Sequence, residues 1–83
     1  MGGIFVREIM VQFRSFRDVR DFAALAGRQS FQITVGTERY QVNATSVLGM
    51  FTLNCRKPLQ ASFTCSDEEF DRFCQDAEAF LVK

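Results

Sequence analysis

Histidine is absent from the 83 residues, so no imidazole is present to act as an acid, a base, a nucleophile or a metal ligand. Three cysteines occur, Cys55, Cys65 and Cys74, and no two of them form a C-x-x-C pair. A zinc site would therefore lack its usual ligands. Glycine-rich phosphate loops and paired carboxylates in a cleft-forming context are also missing. These absences predict a protein that is not an enzyme and that has no metal or cofactor.

Excess charge of either sign is also absent, because ten basic and ten acidic residues cancel. This balance argues against binding to nucleic acid or to an acidic membrane surface. No apolar run approaches the ~18 residues of a membrane span, and the N-terminus has no signal-peptide pattern. We expect a cytoplasmic protein with no direct contact to nucleic acid or membrane.

Tryptophan is absent and proline occurs once, whereas phenylalanine occurs ten times and must fill much of the core. We expect one small domain, residues 1–83, with a stability of about 5–10 kcal/mol. Cys65 and Cys74 fall among apolar positions and are predicted to be small core residues. Cys55 precedes Arg56 and Lys57, whose charges could lower the pKa of the thiol and make it reactive.

Alternating apolar and polar residues predict four strands after an irregular start over Met1–Phe5. The predicted strands cover Glu8–Phe13, Phe31–Val35, Tyr40–Asn43 and Leu59–Cys65. Gly36–Arg39 predicts a turn, so that the second and third strands form a hairpin. Pro58 prevents regular pairing in the loop before the fourth strand.

Apolar residues at helical spacing predict a first helix after the connection Arg14–Arg17. This helix has two candidate N-caps, Asp18 and Ser15, because Ser15 followed by Asp18 three residues later is similar to a capping box. Gly27 is the predicted stop. A second, short helix is expected after Ser46.

The last helix begins at a capping box formed by Ser66 and Glu69 and is predicted to run to about Val82. Its apolar stripe should face the sheet, with Phe73 meeting Phe63 of the fourth strand. The resulting order is β-α-β-β-α-β-α. Amphipathic helices on one face of an antiparallel sheet predict a two-layer α+β domain.

The stretch Val42–Leu53 contains the most distinctive pattern of the sequence. Ser46 is a good N-cap, and the apolar residues after it are too many for one narrow stripe. Those residues are Val47, Leu48, Met50, Phe51 and Leu53. A short helix must expose some of them, and an exposed apolar patch often marks a partner surface. Ser46 is also a position where an added phosphate would meet free N–H groups. An ordinary capped core helix is the alternative.

This stretch resembles the regulatory region of the HPr family, the phosphocarrier proteins of the bacterial sugar phosphotransferase system. Family members have the pattern V-N-x-K-S-[IV]-[ML]-G-[VM]-[MF]-x-L there. The matching residues are Val42, Asn43, Ser46, Val47, Leu48, Gly49, Met50, Phe51 and Leu53. Thr45 occupies the usual lysine position. The resemblance covers nearly the whole chain and implies an HPr-like open-faced sandwich with sheet order 1-4-2-3.

The resemblance breaks at the phosphocarrier motif, G-[IL]-H-A-R-P-A, which aligns with Arg14–Val19. Arg17 is retained, Ser15 occupies the histidine position and Asp18 occupies the proline position. A phosphoimidazole can pass on its phosphate because the P–N bond is labile, whereas a serine phosphate ester is stable. The resemblance therefore implies that the phosphocarrier function is lost.

The sequence looks like the histidine-lacking, Crh-like members of the family, which act in carbon catabolite regulation. This resemblance implies phosphorylation of Ser46 by HPr kinase/phosphorylase. It also implies binding to a LacI-type catabolite control regulator or to a metabolic enzyme. The implied partner-binding residues are Phe16, Arg17, Val47, Leu48 and Phe51. Phe16 is expected in the loop before the first helix, and Arg17 is expected to be the nearest group to the phosphate.

Each of these residues also has a purely structural interpretation. Ser46 could be only a cap, and Arg17 could be a solvated charge at a helix start. Val47 is expected in the core, whereas Leu48 and Phe51 are expected to be exposed. The second functional interpretation is an unphosphorylated, degenerate HPr-fold module associated with a phosphotransferase-type assembly.

Overall fold

The computed structural model describes residues 4–82, which form a four-stranded antiparallel sheet with helices on one face. The elements are β1 (Phe5–Val11), α1 (Phe16–Gly27), β2 (Ile33–Gly36), β3 (Gln41–Asn43), α2 (Val47–Met50), β4 (Leu59–Cys65) and α3 (Asp67–Asp76). The strand order is β1-β4-β2-β3. The predicted α+β class, the element order and the sheet order 1-4-2-3 are confirmed.

Strand β4 lies between β1 and β2, and its bounds and inward face are those predicted. The inward residues are all buried: Leu59, Ala61, Phe63 and Cys65. Ala61 lies opposite Ile9 of β1 and Val35 of β2, and both pairings are antiparallel. Because both neighbours pair with this strand, β4 sets the register of most of the sheet.

Strand β1 begins and ends earlier than predicted. It covers Phe5–Val11 instead of Glu8–Phe13, because its backbone pairs with β4 along the whole length of that strand. Phe13 is buried beyond the end of β1, where its ring centroid lies 5.3 Å from that of Phe22. Alternation predicted the inward face of β1, whereas the position of its ends depends on the partner strand.

The β2–β3 hairpin is confirmed, although β2 starts at Ile33 and β3 at Gln41, later than predicted. Gly36 ends β2 at a point where a side chain does not fit. A Cβ atom there would lie 2.1 Å from the backbone oxygen of Tyr40. The Thr37 N–H donates a hydrogen bond to the same oxygen at 2.9 Å and closes the turn.

Helix α1 uses Ser15 as its N-cap, the second of the two predicted candidates. The Ser15 hydroxyl accepts a hydrogen bond from the Asp18 N–H at 3.3 Å. The Asp18 carboxylate accepts one from the Arg14 N–H at 2.9 Å. As a result, Phe16 and Arg17 belong to the first turn of α1, and the prediction that they lie in a connecting loop was wrong.

Helix α3 begins at the predicted capping box. The Glu69 N–H donates to the Ser66 hydroxyl at 3.3 Å, and the Ser66 N–H donates back to the Glu69 carboxylate at 3.0 Å. The bond from the Ser66 backbone, together with bonds from the Ser30 and Ser66 hydroxyls, holds the pKa of the Glu69 carboxyl below its usual value. These bonds favour the ionised carboxylate at the helix N-terminus.

Helix α3 ends at Asp76, and the prediction that it continues to about Val82 was wrong. A 3-10 turn over Glu78–Phe80 follows. The chain then runs beside β1, where the Val82 N–H donates to the Met10 carbonyl at 3.0 Å. Pairing with a strand requires extended backbone, so the helix must end first. None of the helices within residues 4–82 is long and apolar enough to cross a membrane.

Phenylalanine rings connect the sheet to the helices. The ring centroid of Phe73 in α3 lies 5.0 Å from that of Phe63 in β4 and 6.2 Å from that of Phe22 in α1. Both pairs meet edge to face, a geometry favoured by the quadrupoles of aromatic rings. All three side chains are buried. The predicted contact between Phe63 and Phe73 is confirmed.

We expect Phe63→Ala or Phe73→Ala to lower the free energy of unfolding by about 3–5 kcal/mol, because each leaves a cavity between the two layers. Phe16→Ala is the matched control. It removes a ring of the same size that is 59% exposed, and it should cost about 1 kcal/mol or less. Urea denaturation followed by circular dichroism measures these differences. Equal losses for the core and control variants would contradict the assigned faces.

Candidate functional site

Ser46 is exposed and caps the short helix α2. Its hydroxyl accepts a hydrogen bond from the Gly49 N–H at 3.0 Å. A Cβ atom at position 49 would lie only 3.0 Å from the Ser46 Oγ and 3.4 Å from the Cβ of Val42. The glycine therefore allows the serine hydroxyl to approach the helix closely.

The residues before Ser46 form a fixed turn. The Asn43 side-chain oxygen accepts hydrogen bonds from the Thr45 N–H at 2.9 Å and from the Thr45 hydroxyl at 2.7 Å. Ala44 is fully buried, and its N–H donates to the Ile33 carbonyl at 2.9 Å. An asparagine that bonds the backbone two residues later is a typical turn former. The serine is therefore held in place from both sides.

Helix α2 divides its apolar residues between the core and the surface. Met50 is fully buried, and Val47 is half-buried against the core. Leu48 is 79% exposed and Phe51 is 41% exposed. The predicted exposure of Leu48 and Phe51 is confirmed, and Val47 is less buried than expected.

Phe51 contacts Phe16, which is 35 positions earlier in the chain. The two ring centroids are 4.7 Å apart and the rings are tilted by 33°. Phe16 lies on the first turn of α1 and is 59% exposed. We call Phe16, Leu48 and Phe51 the α1–α2 patch. The structure thus brings together Phe16 and Phe51, and Leu48 lies three residues before Phe51 in the sequence.

Tyr40 is an exposed aromatic residue near α2 that the sequence pattern did not indicate as part of a site. Its side chain is 52% exposed, and its hydroxyl accepts a hydrogen bond from the Thr52 hydroxyl at 3.2 Å. Its place at the start of a predicted strand indicated no function. The contact with Thr52 depends on the fold and has no signal in the local sequence.

Arg17 and Ser46 lie toward opposite ends of α1. A Cβ atom at Gly27, the last residue of α1, would lie 4.0 Å from the Cγ2 of Thr45, next to Ser46. The other end of α2 contacts the first turn of α1 through the two phenylalanine rings. The ~10 helical residues from Arg17 to Gly27 span about 15 Å. Arg17 was expected to be the nearest group to a phosphate on Ser46, and across this separation a common partner could contact both.

Ser15, at the position of the family's histidine, acts as a helix cap. Its hydroxyl accepts the Asp18 N–H, and no imidazole exists in the sequence to activate it as a nucleophile. The Asp18 carboxylate also lies at this helix end, where it accepts the Arg14 N–H. A second anion at this position would meet the negative charge of Asp18.

Burial raises the pKa of the Cys55 thiol, and the expectation that neighbouring charges lower it was wrong. The thiol lies 3.7 Å from the Met50 carbonyl oxygen and packs partly against the core. Burial also raises the pKa of the thiols of Cys65, which is fully buried as predicted, and Cys74, which is only half-buried. Among residues 4–82, no three Cys, Asp or Glu side chains come close enough together to hold a metal ion.

We expect Cys55 to react slowly with iodoacetamide at neutral pH, because the reactive thiolate is a minor species below a raised pKa. Its alkylation rate should be lower than that of a cysteine in an unstructured peptide and should keep rising beyond pH 8. Peptide mapping by mass spectrometry separates Cys55 from the other two thiols. A rate that levels off below pH 7 would contradict this assignment.

No protein-family model matches the sequence, and no curated protein sequence is significantly similar to it. Among solved structures, the fold is similar to the crystal structure of a phosphocarrier protein HPr from Bacillus anthracis str. Ames. The two chains superpose with a TM-score of 0.68 and 17% sequence identity, over 96% of this chain and 99% of that one. An identity this low relates the two proteins by fold, and we conclude that this chain has the fold of the HPr phosphocarrier proteins.

Proposed function

We propose that this chain is a regulatory, single-domain member of the HPr group that binds a protein partner through the α1–α2 patch and that Ser46 controls the binding. One observation carries the proposal: an exposed serine caps the same four-residue helix from which Leu48 projects into solvent. A modification at the cap therefore lies directly beside the apolar surface.

The α1–α2 patch supports a docking role because its exposed apolar side chains do not contribute the burial free energy that would stabilise the fold. Leu48 is 79% exposed, and fully burying such a side chain is worth about 1.5–3 kcal/mol. Phe16 lies in α1 and Phe51 follows directly after α2, and their rings contact each other at the surface. Aromatic residues in such positions often form the centre of protein interfaces.

A phosphate on Ser46 would change the charge of this surface more than its shape. It adds about −2 charges at neutral pH, next to the N–H groups of Val47 and Leu48, which begin the helix. The turn before Ser46 is already fixed by the Asn43 side chain, so the phosphate need not order it. We expect the modification to act on partner affinity.

The partners of this proposal are HPr kinase/phosphorylase, which modifies Ser46, and a LacI-type catabolite control regulator or a metabolic enzyme. The chain acts in carbon catabolite regulation and carries no phosphate between enzymes. The missing histidine and the capping role of Ser15 both support a regulatory role without phosphate transfer. The main alternative is an unphosphorylated binding module associated with a phosphotransferase-type assembly.

The first test is phosphorylation by enzyme I and phosphoenolpyruvate. We expect no acid-labile phosphate on this chain, because the sequence has no imidazole to accept it. A histidine-bearing HPr protein in the same assay is the positive control. Acid-labile phosphate on this chain would contradict the proposal that the carrier function is lost.

The second test is incubation with HPr kinase and ATP, followed by mapping of the phosphate by mass spectrometry. We expect one acid-stable phosphate on Ser46 and none on Ser46→Ala. Leu48→Asp should slow the reaction at least severalfold, because the kinase must contact the residues next to the serine. Tyr40→Asp is the control, because it places the same charge at another exposed aromatic residue. It shows how far a new surface charge alone slows the kinase.

Labelling of Ser15 or Thr45 in place of Ser46 would contradict this proposal. A wholly unlabelled chain would favour the unphosphorylated binding module. Circular dichroism of each variant checks that the fold is intact, since Ser46→Ala alone removes a helix cap worth about 1 kcal/mol.

A further inference from the structure

Strand β1 lies at one edge of the sheet, and its outer side is only partly paired. Near the end of the strand, the Gln12 N–H donates to the Phe80 carbonyl at 2.8 Å. The Val82 N–H donates to the Met10 carbonyl at 3.0 Å on the same side. Within residues 4–82, the outer side of residues 5–8 has no backbone partner. We call this outer side of residues 5–8 the β1 edge, and it is open to pairing with a further strand.

Two residues of the β1 edge present their backbone groups outward. Met10 and Gln12 point away from β4, as their hydrogen bonds to residues 80–82 show. The backbone groups of successive residues in a strand point to opposite sides, so Val6 and Glu8 point the same way as Met10. Each of them therefore offers one N–H donor and one C=O acceptor, which are the groups that an antiparallel strand requires.

The side chains of Val6 and Glu8 lie on the face of the sheet away from the helices. Val6 is 74% exposed and lies opposite Thr64 of β4, and Glu8 is exposed opposite Ser62. The four strands contain two charged residues, Arg7 and Glu8, and Glu8 is the one on this face. An additional strand at the β1 edge would therefore meet an apolar side chain and one negative charge.

Arg7 lies between these two residues but points to the opposite face, toward α3. Its guanidinium carbon lies 5.1 Å from the ring centroid of Phe5 and 4.8 Å from that of Phe70. The guanidinium also forms an ion pair with the Asp67 carboxylate at the start of α3. The charge of Arg7 is therefore already compensated, whereas Glu8 forms no ion pair within residues 4–82. Glu8 remains the charge with which a bound segment can pair.

We propose that the β1 edge binds an extended segment of a partner protein as an additional antiparallel strand, with a basic residue opposite Glu8 and an apolar residue opposite Val6. Leu81 already forms an antiparallel bridge with Val11, so the added strand would continue the pairing that Leu81 begins. The backbone bonds supply affinity, and the side chains opposite Glu8 and Val6 select the segment. The β1 edge shares no residue with the α1–α2 patch, and the inference goes beyond the proposed function.

The experiment uses blocked peptides and amide chemical-shift mapping on the isotope-labelled chain. The probe has Thr-Lys-Thr-Val-Thr at its centre, which in antiparallel register places the lysine opposite Glu8 and the valine opposite Val6. We expect it to shift the amides of residues 5–9 and to leave those of the α1–α2 patch unchanged. A control peptide with Thr-Glu-Thr-Val-Thr should bind about threefold or more weakly, because it places two carboxylates opposite each other.

N-methylation of the peptide tests whether its backbone pairs with β1. In the proposed register, the lysine and valine N–H groups face Glu8 and Val6, and the N–H of the threonine between them points away. Methylating the valine nitrogen should weaken binding about fivefold or more, because it removes a hydrogen bond between the two strands. Methylating the nitrogen of the central threonine is the matched control and should have a much smaller effect.

Glu8→Lys is the diagnostic variant of the chain, and Glu38→Lys is its matched control. Both replace an exposed glutamate, but Glu38 lies in the turn between β2 and β3, at the other edge of the sheet. Glu8→Lys should reverse the preference, so that the glutamate peptide binds more tightly than the lysine peptide. Glu38→Lys should leave the preference unchanged. Circular dichroism checks that both variants are folded.

Several outcomes would overturn the inference. They are shifts confined to other surfaces, equal losses for the two methylated peptides, the same preference in the two charge variants, and no binding of the probe. Shifts of the same amides when the chain alone is concentrated would show that a second copy occupies the β1 edge, and would also overturn it. The peptide assay involves neither Ser46 nor a kinase, so its failure is distinguishable from failure of the proposed function.

Discussion

The contact of Phe63 with Phe73 joins the sheet to the helical layer, and much of the molecule depends on it. Phe63 lies on the central strand β4, so its position is set by pairing with both β1 and β2. Phe73 in turn contacts Phe22 of α1, which places that helix over the sheet. Because Phe63 and Phe73 meet edge to face, a shift of the helices over the sheet would change the angle and the distance between these two rings. The first turn of α1, which carries Phe16, is therefore positioned from the core outward.

Elements with strong local signals could be predicted from the sequence. Strand β4 alternates through all seven of its residues, and α3 begins at a capping box whose two residues are three positions apart. The ends of β1 and of α3 could not be predicted in the same way. Both are set by backbone pairing at β1, with β4 on one side and with Val82 on the other. Such pairing depends on residues far away in the sequence, which local patterns do not contain.

The candidate site was predictable to the same extent. Ser46 and the exposed Leu48 follow from the cap and from an excess of apolar residues over what one stripe can bury. The contact of Phe16 with Phe51 and the separation of Arg17 from Ser46 follow from how α1 packs against α2. The candidate residues were selected from the sequence alone, and the fold determined which of them lie close together.

The strand order also has a consequence for the time at which the fold can form. β1 pairs with β4 in the sheet, so residues 5–11 have their strand partner in residues 59–65. During synthesis, the first strand therefore has no partner until residues 59–65 have left the ribosome. Contacts across such a distance close long loops and slow folding. In the meantime the apolar residues Phe5, Val6 and Met10 belong to an unpaired strand, and an unpaired apolar strand is able to pair with other chains.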